Sequence, residues 1–254
     1  FLSDLKDLRP SLTEVELINI GEQSWKGGRL INFSCQTCNL SGEIPESIRN
    51  LKYLETLDLS DNQLIGEVPS YIGNLTNLLF LYLNNNQFSG KISDDIGNLN
   101  KLSRLWLHSN QLTGGILENI GNLSKLEWLN VSLNNLSGEI PDNIVNLINL
   151  KFCDLSDNEL SGEISQNIGN MIGLSIFTLD NNQFTGEIPS SIGNLTNLSN
   201  LILSNNQLTG AIPESLGNLI NLNLLSLSSN QLTGEIPSTI GNLKNLSIMA
   251  LQHN

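Results

Sequence analysis

Three groups of residues in this 254-residue chain have types and spacings that could do chemistry. Cys35 and Cys38 form a CxxC pair, the spacing of a metal-holding or redox dithiol. Glu43, Glu67, Glu139, Glu163, Glu187 and Glu235 recur at a fixed place, and stacked carboxylates could bind a cation. Phe80, Tyr82, Arg104, Trp106, His108, Trp128 and Phe152 put five Phe, Trp and Tyr rings into four consecutive turns of a chain that is only 5% aromatic. Rings and arginine of this kind anchor interfaces, because they bury much area at modest entropy cost. Catalytic signatures are missing: the chain has no GxSxG, no HExxH and no phosphate-binding glycine loop. The expectation is a protein that is not an enzyme and uses no cofactor or metal.

The elements that position these groups come from a repeat. Leu219–Asn242, LINLNLLSLSSNQLTGEIPSTIGN, is one copy of a 24-residue unit, with further copies starting at Leu51, Leu75, Leu99, Leu123, Leu147, Met171 and Leu195. A weaker copy runs from Gly27 to Asn50, and a truncated tenth covers Leu243 to Asn254. A strict period of this length predicts a solenoid. Residues 27–254 read as one elongated solenoid of nine full repeats and that truncated tenth, and residues 1–26 as an N-terminal cap. In the cap, Leu2, Leu5 and Leu8 have helical spacing with Ser3 before them and Pro10 after, and Leu12, Val15 and Leu17 read as an irregular strand.

The unit reads LxxLxxLxLxxNxLxGxIPxxIGN. It resembles the leucine-rich repeat, and its second half resembles the plant-type subclass found in receptor ectodomains, secreted inhibitors and microbial surface proteins. The resemblance implies an α/β-type repeat solenoid, a curved superhelix with a parallel β-sheet on the concave face. Trp25-Lys-Gly-Gly-Arg29 is similar to the lead-in of the first repeat in such relatives, although the flanking cysteine pair of the plant cap is absent at its usual spacing. Each turn supplies a short strand around an LxL pair, such as Leu57 and Leu59, whose side chains point inward by alternation. Ten such strands about 4.8 Å apart make a sheet roughly 45 Å long.

The register assigns the remaining columns. Asn62, Asn86, Asn110, Asn134, Asn158, Asn182, Asn206 and Asn230 form an inward amide column that satisfies backbone groups at the bend. Gly66, Gly90, Gly114, Gly138, Gly162, Gly186, Gly210 and Gly234 stand at the next bend, where positive φ is expected. Ile-Pro pairs mark the back of the turn. In this register Cys35 takes an inward leucine position and Cys38 the Asn-column position. Neither His108 nor His253 is near enough to complete a zinc site, so the pair reads as structural thiols. Cys153 replaces an inward leucine and is expected in the core. Lys91, Gly115 and Ala211 interrupt the glutamates, which read as a solvated edge.

Charge and composition exclude some classes. The formal net charge is −13 and the 12 Lys and Arg are scattered, which argues against nucleic acid. An acidic balance mostly reports solubility and would suit a basic partner. No apolar run approaches the ~20 residues of a membrane-spanning helix, so no membrane insertion is expected within this segment. A start at Phe1 and an end in mid-repeat read as a piece of a longer chain. Nine N-glycosylation sequons, with Asn74, Asn122, Asn130 and Asn194 as candidate sites, agree with an extracellular or cell-surface glycoprotein.

Function in a solenoid lies where copies depart from one another. Three outward positions flank each inward pair: Thr56, Asp58, Ser60; then Phe80, Tyr82, Asn84; then Arg104, Trp106, His108; then Trp128, Asn130, Ser132; then Phe152, Asp154, Ser156. In-register pairing would bring Phe80, Tyr82, Arg104, Trp106, His108, Trp128 and Phe152 into one patch, and exposed patches of this kind mark binding sites. The leading expectation is a receptor-like recognition module that captures a protein or peptide on the concave face. Rings also suit sugars, so a carbohydrate is the other ligand that patch admits. The alternatives are an adhesion or assembly scaffold and, lower, an ice-binding protein. Ice binding needs a regular array, and the column of Thr113, Thr185, Thr209 and Thr233 is broken by Ile65, Ser89, Ser137 and Ser161.

Overall fold

The computed structural model describes residues 20–254. The helix and strand expected over Leu2 to Leu17 lie outside the described residues. What is described of the cap is a strand, Glu22–Lys26, antiparallel to Arg29–Ser34. Gly27 and Gly28 join the two with φ of 58° and 71°. Two consecutive positive-φ residues are the hairpin turn whose twist matches that of the strands. The sequence carried this signal in the Gly-Gly pair, which the 24-residue register hid.

From Arg29–Ser34 onward every strand of the long sheet is parallel to its predecessor, and the eleven strands follow chain order. Partners are 24 residues apart throughout: Thr56 faces Phe80, Phe80 faces Arg104, Arg104 faces Trp128 and Trp128 faces Phe152. Most of these strands have three residues, with the middle one buried and the outer two half-buried. The middle residues Leu57, Leu81, Leu105, Leu129, Cys153, Phe177, Leu201 and Leu225 join the second inward leucines in one continuous core along the axis. Burial pushes the Cys153 thiol far up, so it stays protonated.

The back of each turn carries a short 3₁₀ helix, such as Ser190–Asn194, and no α-helix occurs among the described residues. Pro189 precedes that helix at φ −66°, a conformation its ring already imposes, and Leu195 ends it by turning into the core. Five residues between a proline and an inward leucine are too few for an α-helix, and 3₁₀ geometry suits short pieces. The non-strand layer of the expected α/β-type solenoid is therefore made of 3₁₀ turns. A second parallel sheet of five strands, from Ser89–Lys91 to Gln183–Thr185, lines the bend between the long sheet and the back.

The Asn column closes the bend. Asn86 Nδ2 donates to the carbonyl of Leu59 one turn back at 2.9 Å and to Leu83 and Asn84 in its own turn, while Oδ1 accepts from Leu64 N–H at 3.0 Å. The same set recurs at Asn110, Asn134, Asn158, Asn182, Asn206 and Asn230. Where the column holds Cys38 instead, Cys35 and Cys38 are joined in a disulfide with Cα atoms 5.4 Å apart. The expected structural thiols are structural, but they are bonded to each other rather than free.

The residue before each column Asn has positive φ, between 52° and 56° from Asp61 to Ser229. Asp and Asn, which tolerate this region, fill most of these places; Ser109 and Ser229 take two more, and Leu133 at φ 53° is the one apolar residue among them. The glycine column also has positive φ, 73° at Gly186, and a Cβ there would lie 2.8 Å from Glu163 Cγ. The glutamates of the solvated edge thus lay their stems over the glycine of the following turn.

Candidate functional site

The aromatic residues lie on the face of the long sheet away from the core, because each precedes or follows a buried middle residue in a three-residue strand. Phe80, Tyr82, Arg104, Trp106, His108, Trp128 and Phe152 are all half-buried, since they cover one another across neighbouring strands. Tyr82 and Trp106 meet edge to face with centroids 5.1 Å apart, and Trp106 meets His108 the same way at 5.8 Å. Trp128 stacks on Phe152 at 5.2 Å. The Arg104 guanidinium lies 5.5 Å from the Phe80 ring centre and 5.4 Å from that of Trp128, and donates to Tyr82 Oη at 3.3 Å. No carboxylate pairs with it: the ion pairs among the described residues are Arg49–Glu46 and Lys151–Glu127. The patch is contiguous, and its one guanidinium is held by ring faces and a phenol.

The third outward position is not open surface. Ser60, Asn84, Ser132 and Ser156 are buried, at 4–8% exposure. The strands end two residues earlier, so these residues belong to the bend and not to the sheet. Most of them are satisfied there. Asp58 Oδ1 accepts from Ser60 N–H and Oγ–H, Asn130 Oδ1 from Ser132, and Asp154 Oδ1 from Ser156, at 2.7–3.1 Å. In two adjacent turns Tyr82 and Trp106 stand in place of that acidic or amide residue. Asn84 Oδ1, Trp106 Nε1 and His108 Nδ1 are buried with no hydrogen-bond partner. They are three of six such atoms among the described residues, so the shortfall concentrates on two adjacent turns of the patch.

Carboxylates flank the rings at the bend side. Burial raises Asp180 to about 6, its backbone hydrogen bond opposes this, and Asp157 and Asp154 add to the rise. Burial lowers His108 against the pull of Asp154 and Asp61, leaving the ring neutral at pH 7. Sequence reasoning placed Asp154 among the outward positions but missed Asp61 and Asp157, which sit in the positive-φ column, outside the strand positions.

Other candidates resolve differently. Asn74, Asn122 and Asn194 are exposed at the ends of 3₁₀ helices, whereas Asn130 is half-buried between Trp106 and Asp154 with its Oδ1 engaged. The threonine hydroxyls of the ice-binding alternative donate to glycine carbonyls one turn back, Thr185 to Gly162 and Thr209 to Gly186. Among the described residues no group of three or more His, Cys, Asp or Glu could hold a metal ion, and no helix is long and apolar enough to cross a membrane.

Residues 33–145 and 134–254 match the family model described as a leucine-rich repeat region. The fold is shared with the ectodomain of the membrane receptor kinase GASSHO1/SCHENGEN3 of Arabidopsis thaliana, solved in complex with CASPARIAN STRIP INTEGRITY FACTOR 2. That likeness has a TM-score of 0.91 and 36% identity over 97% of this chain and 30% of the receptor chain. The Arabidopsis receptor kinase HAESA, solved with the peptide hormone IDA and the co-receptor SERK1, gives a TM-score of 0.78 and 38% identity over 83% of this chain and 35% of its own. A plant ice-binding protein, at 24% identity and a TM-score of 0.75 over 98% of this chain and 93% of its own, shares the fold alone. The chain spans about a third of the two receptor chains. No curated protein sequence matches it. Ten parallel strands in one register, an unbroken asparagine ladder and this family match lead to one conclusion: the chain belongs to the leucine-rich repeat family, with repeats of the plant type.

Proposed function

We propose that this chain is a non-catalytic recognition module that captures a peptide or an extended protein segment along the concave face of its long sheet. Phe80, Tyr82, Arg104, Trp106, His108, Trp128 and Phe152 are the anchoring residues. The observation that carries this reading is the packing of those side chains into one patch on the face the core does not use. Rings that served only the fold would be buried beneath the sheet with Phe33 and Phe177. Two receptor ectodomains of like fold, one in complex with a peptide hormone, support a ligand-binding role. The Cys35–Cys38 disulfide and the exposed sequons at Asn74, Asn122 and Asn194 support an extracellular place. Asn130 is free of glycan in this reading, since a sugar there would stand on the patch.

The test uses a randomised decapeptide library with acetylated and amidated ends, panned against the chain and against the Trp106→Ala, Trp128→Ala double variant. Sequences enriched by the parent and lost by the variant are expected. Enrichment of the same sequences by both would remove the patch from the site.

A further inference from the structure

The aromatic patch has two unlike ends. Arg104 and Trp106 begin and end one strand, roughly 7 Å apart, and His108 follows two residues on, past the strand end. Arg104 is occupied by Tyr82 and the faces of Phe80 and Trp128. At the other end the repeat's own pairing rule is broken. In the Asp58, Asn130 and Asp154 turns an Asp or Asn accepts from the serine two residues on. Tyr82 and Trp106 do not accept in that way, and in the same two turns Asn84 Oδ1, His108 Nδ1 and Trp106 Nε1 have no partner. Asn84 is 6% exposed.

These atoms describe their missing partner. Asn84 Oδ1 and one nitrogen of a neutral His108 are acceptors, and Trp106 Nε1–H is a donor. Asp61, whose N–H donates to the Asn84 carbonyl at 3.0 Å, lies on one side, and Asp154 lies on the other. The local charge is negative and the ring wall is a good surface for a cation. A carboxylate ligand would meet two acceptors and a repulsive field.

Building on the concave-face reading, we propose that Asn84, Trp106 and His108 form a seat for one lysine or arginine side chain of the bound peptide, with Asp61 and Asp154 supplying the field that favours it. The ammonium or guanidinium donates to Asn84 Oδ1, the aliphatic stem lies against Trp106, and a neighbouring peptide carbonyl accepts from Trp106 Nε1–H. The His108 and Trp106 rings turn aside to admit it, a rotamer change of the kind common at interfaces.

The same decapeptide library tests this. Enriched sequences are expected to share one Lys or Arg position beside an aromatic or aliphatic residue. Binding of one such peptide, measured by calorimetry, should fall roughly tenfold on Asn84→Leu, and by a similar factor when its basic residue is replaced by methionine. The two changes together should cost little more than either alone. Asn84→Leu is expected to melt no lower than the parent, since it removes an unpaired buried oxygen. A second variant, Asp61→Asn with Asp154→Asn, should flatten the salt dependence of binding. Enriched peptides with no shared basic position, or a basic preference unchanged in both variants, would overturn the seat and leave the concave-face reading standing. Failure of any peptide to enrich would overturn both.

Discussion

The indole of Trp128 lies on the phenyl ring of Phe152, one turn along the sheet, with ring planes 20° from parallel. Leu129, the next residue in the chain, points the opposite way and is 1% exposed. The pair separates binding from folding. Leu129→Ala should cost about 3–5 kcal/mol, the range for a buried leucine whose cavity cannot collapse. Trp128→Ala removes a half-buried ring and one stack, and should cost about 1–2 kcal/mol. Urea unfolding of both variants checks this. Equal losses would mean that the aromatic patch belongs to the fold.

Asn134 tests the ladder. Its Nδ2 donates to the carbonyls of Leu107, Val131 and Ser132, each at 3.1 Å, and its Oδ1 accepts from Leu112 N–H at 2.9 Å. Alanine would leave those buried backbone groups unpaired, at a cost of about 2–4 kcal/mol. The exposed Gln111, changed to alanine, should stay within about 0.5 kcal/mol. A cost for Asn134→Ala as small as that of Gln111→Ala would show that water replaces the ladder.

The repeat made the solenoid, the register and the Asn column legible, because each column appears many times and any single turn predicts its neighbours. The ring cluster was legible for the same reason: Phe80, Arg104, Trp128 and Phe152 are separated by whole repeats. What escaped was local. Alternation predicts that Ser60 and Asn84 stand exposed on the sheet, but the strands are three residues long and both residues are buried at the bend that follows. The Cys35–Cys38 bond depends on two Cα atoms 5.4 Å apart, and a turn of either conformation fits the spacing CxxC. The orphaned atoms of Asn84 and His108 come from the absence of a partner, which only an assembled neighbourhood reveals.

Leu133 is held at φ 53° and is 53% exposed, in a column where Asp61, Asn85, Asp157 and Asn181 adopt the same conformation with side chains suited to it. Left-handed backbone costs an ordinary residue about 1–2 kcal/mol, and asparagine recovers part of that. Leu133→Asn should therefore stabilise the protein by about 0.5–1 kcal/mol in thermal unfolding. The strained leucine borders the Trp128 turn, and strain of this kind collects at functional sites. The same variant is expected to bind the selected peptides more weakly. An unchanged affinity would confine Leu133 to a packing accident of that turn.

Asp180 gives a pH dependence whose sign follows from its surroundings. Burial, together with the charges of Asp157 and Asp154, raises its carboxyl from 3.8 to about 6, although a backbone hydrogen bond pulls it down. A carboxyl raised on folding binds its proton more tightly in the native state. Ionisation therefore penalises the fold: the penalty is absent below the unfolded value near 4, grows between pH 4 and 6, and is complete above that. A shift of about two units corresponds to about 3 kcal/mol, and solvent screening of a half-buried group brings the realised penalty to about 1–2 kcal/mol. The Asp180→Asn substitution keeps an acceptor oxygen without the charge. That variant should be more stable than the parent by about 1–2 kcal/mol in urea at pH 8 and no more stable at pH 4. A stability gain of the same size at both pH values would assign the effect to packing, and a loss at pH 8 would mean that the ionised carboxylate is itself a structural acceptor.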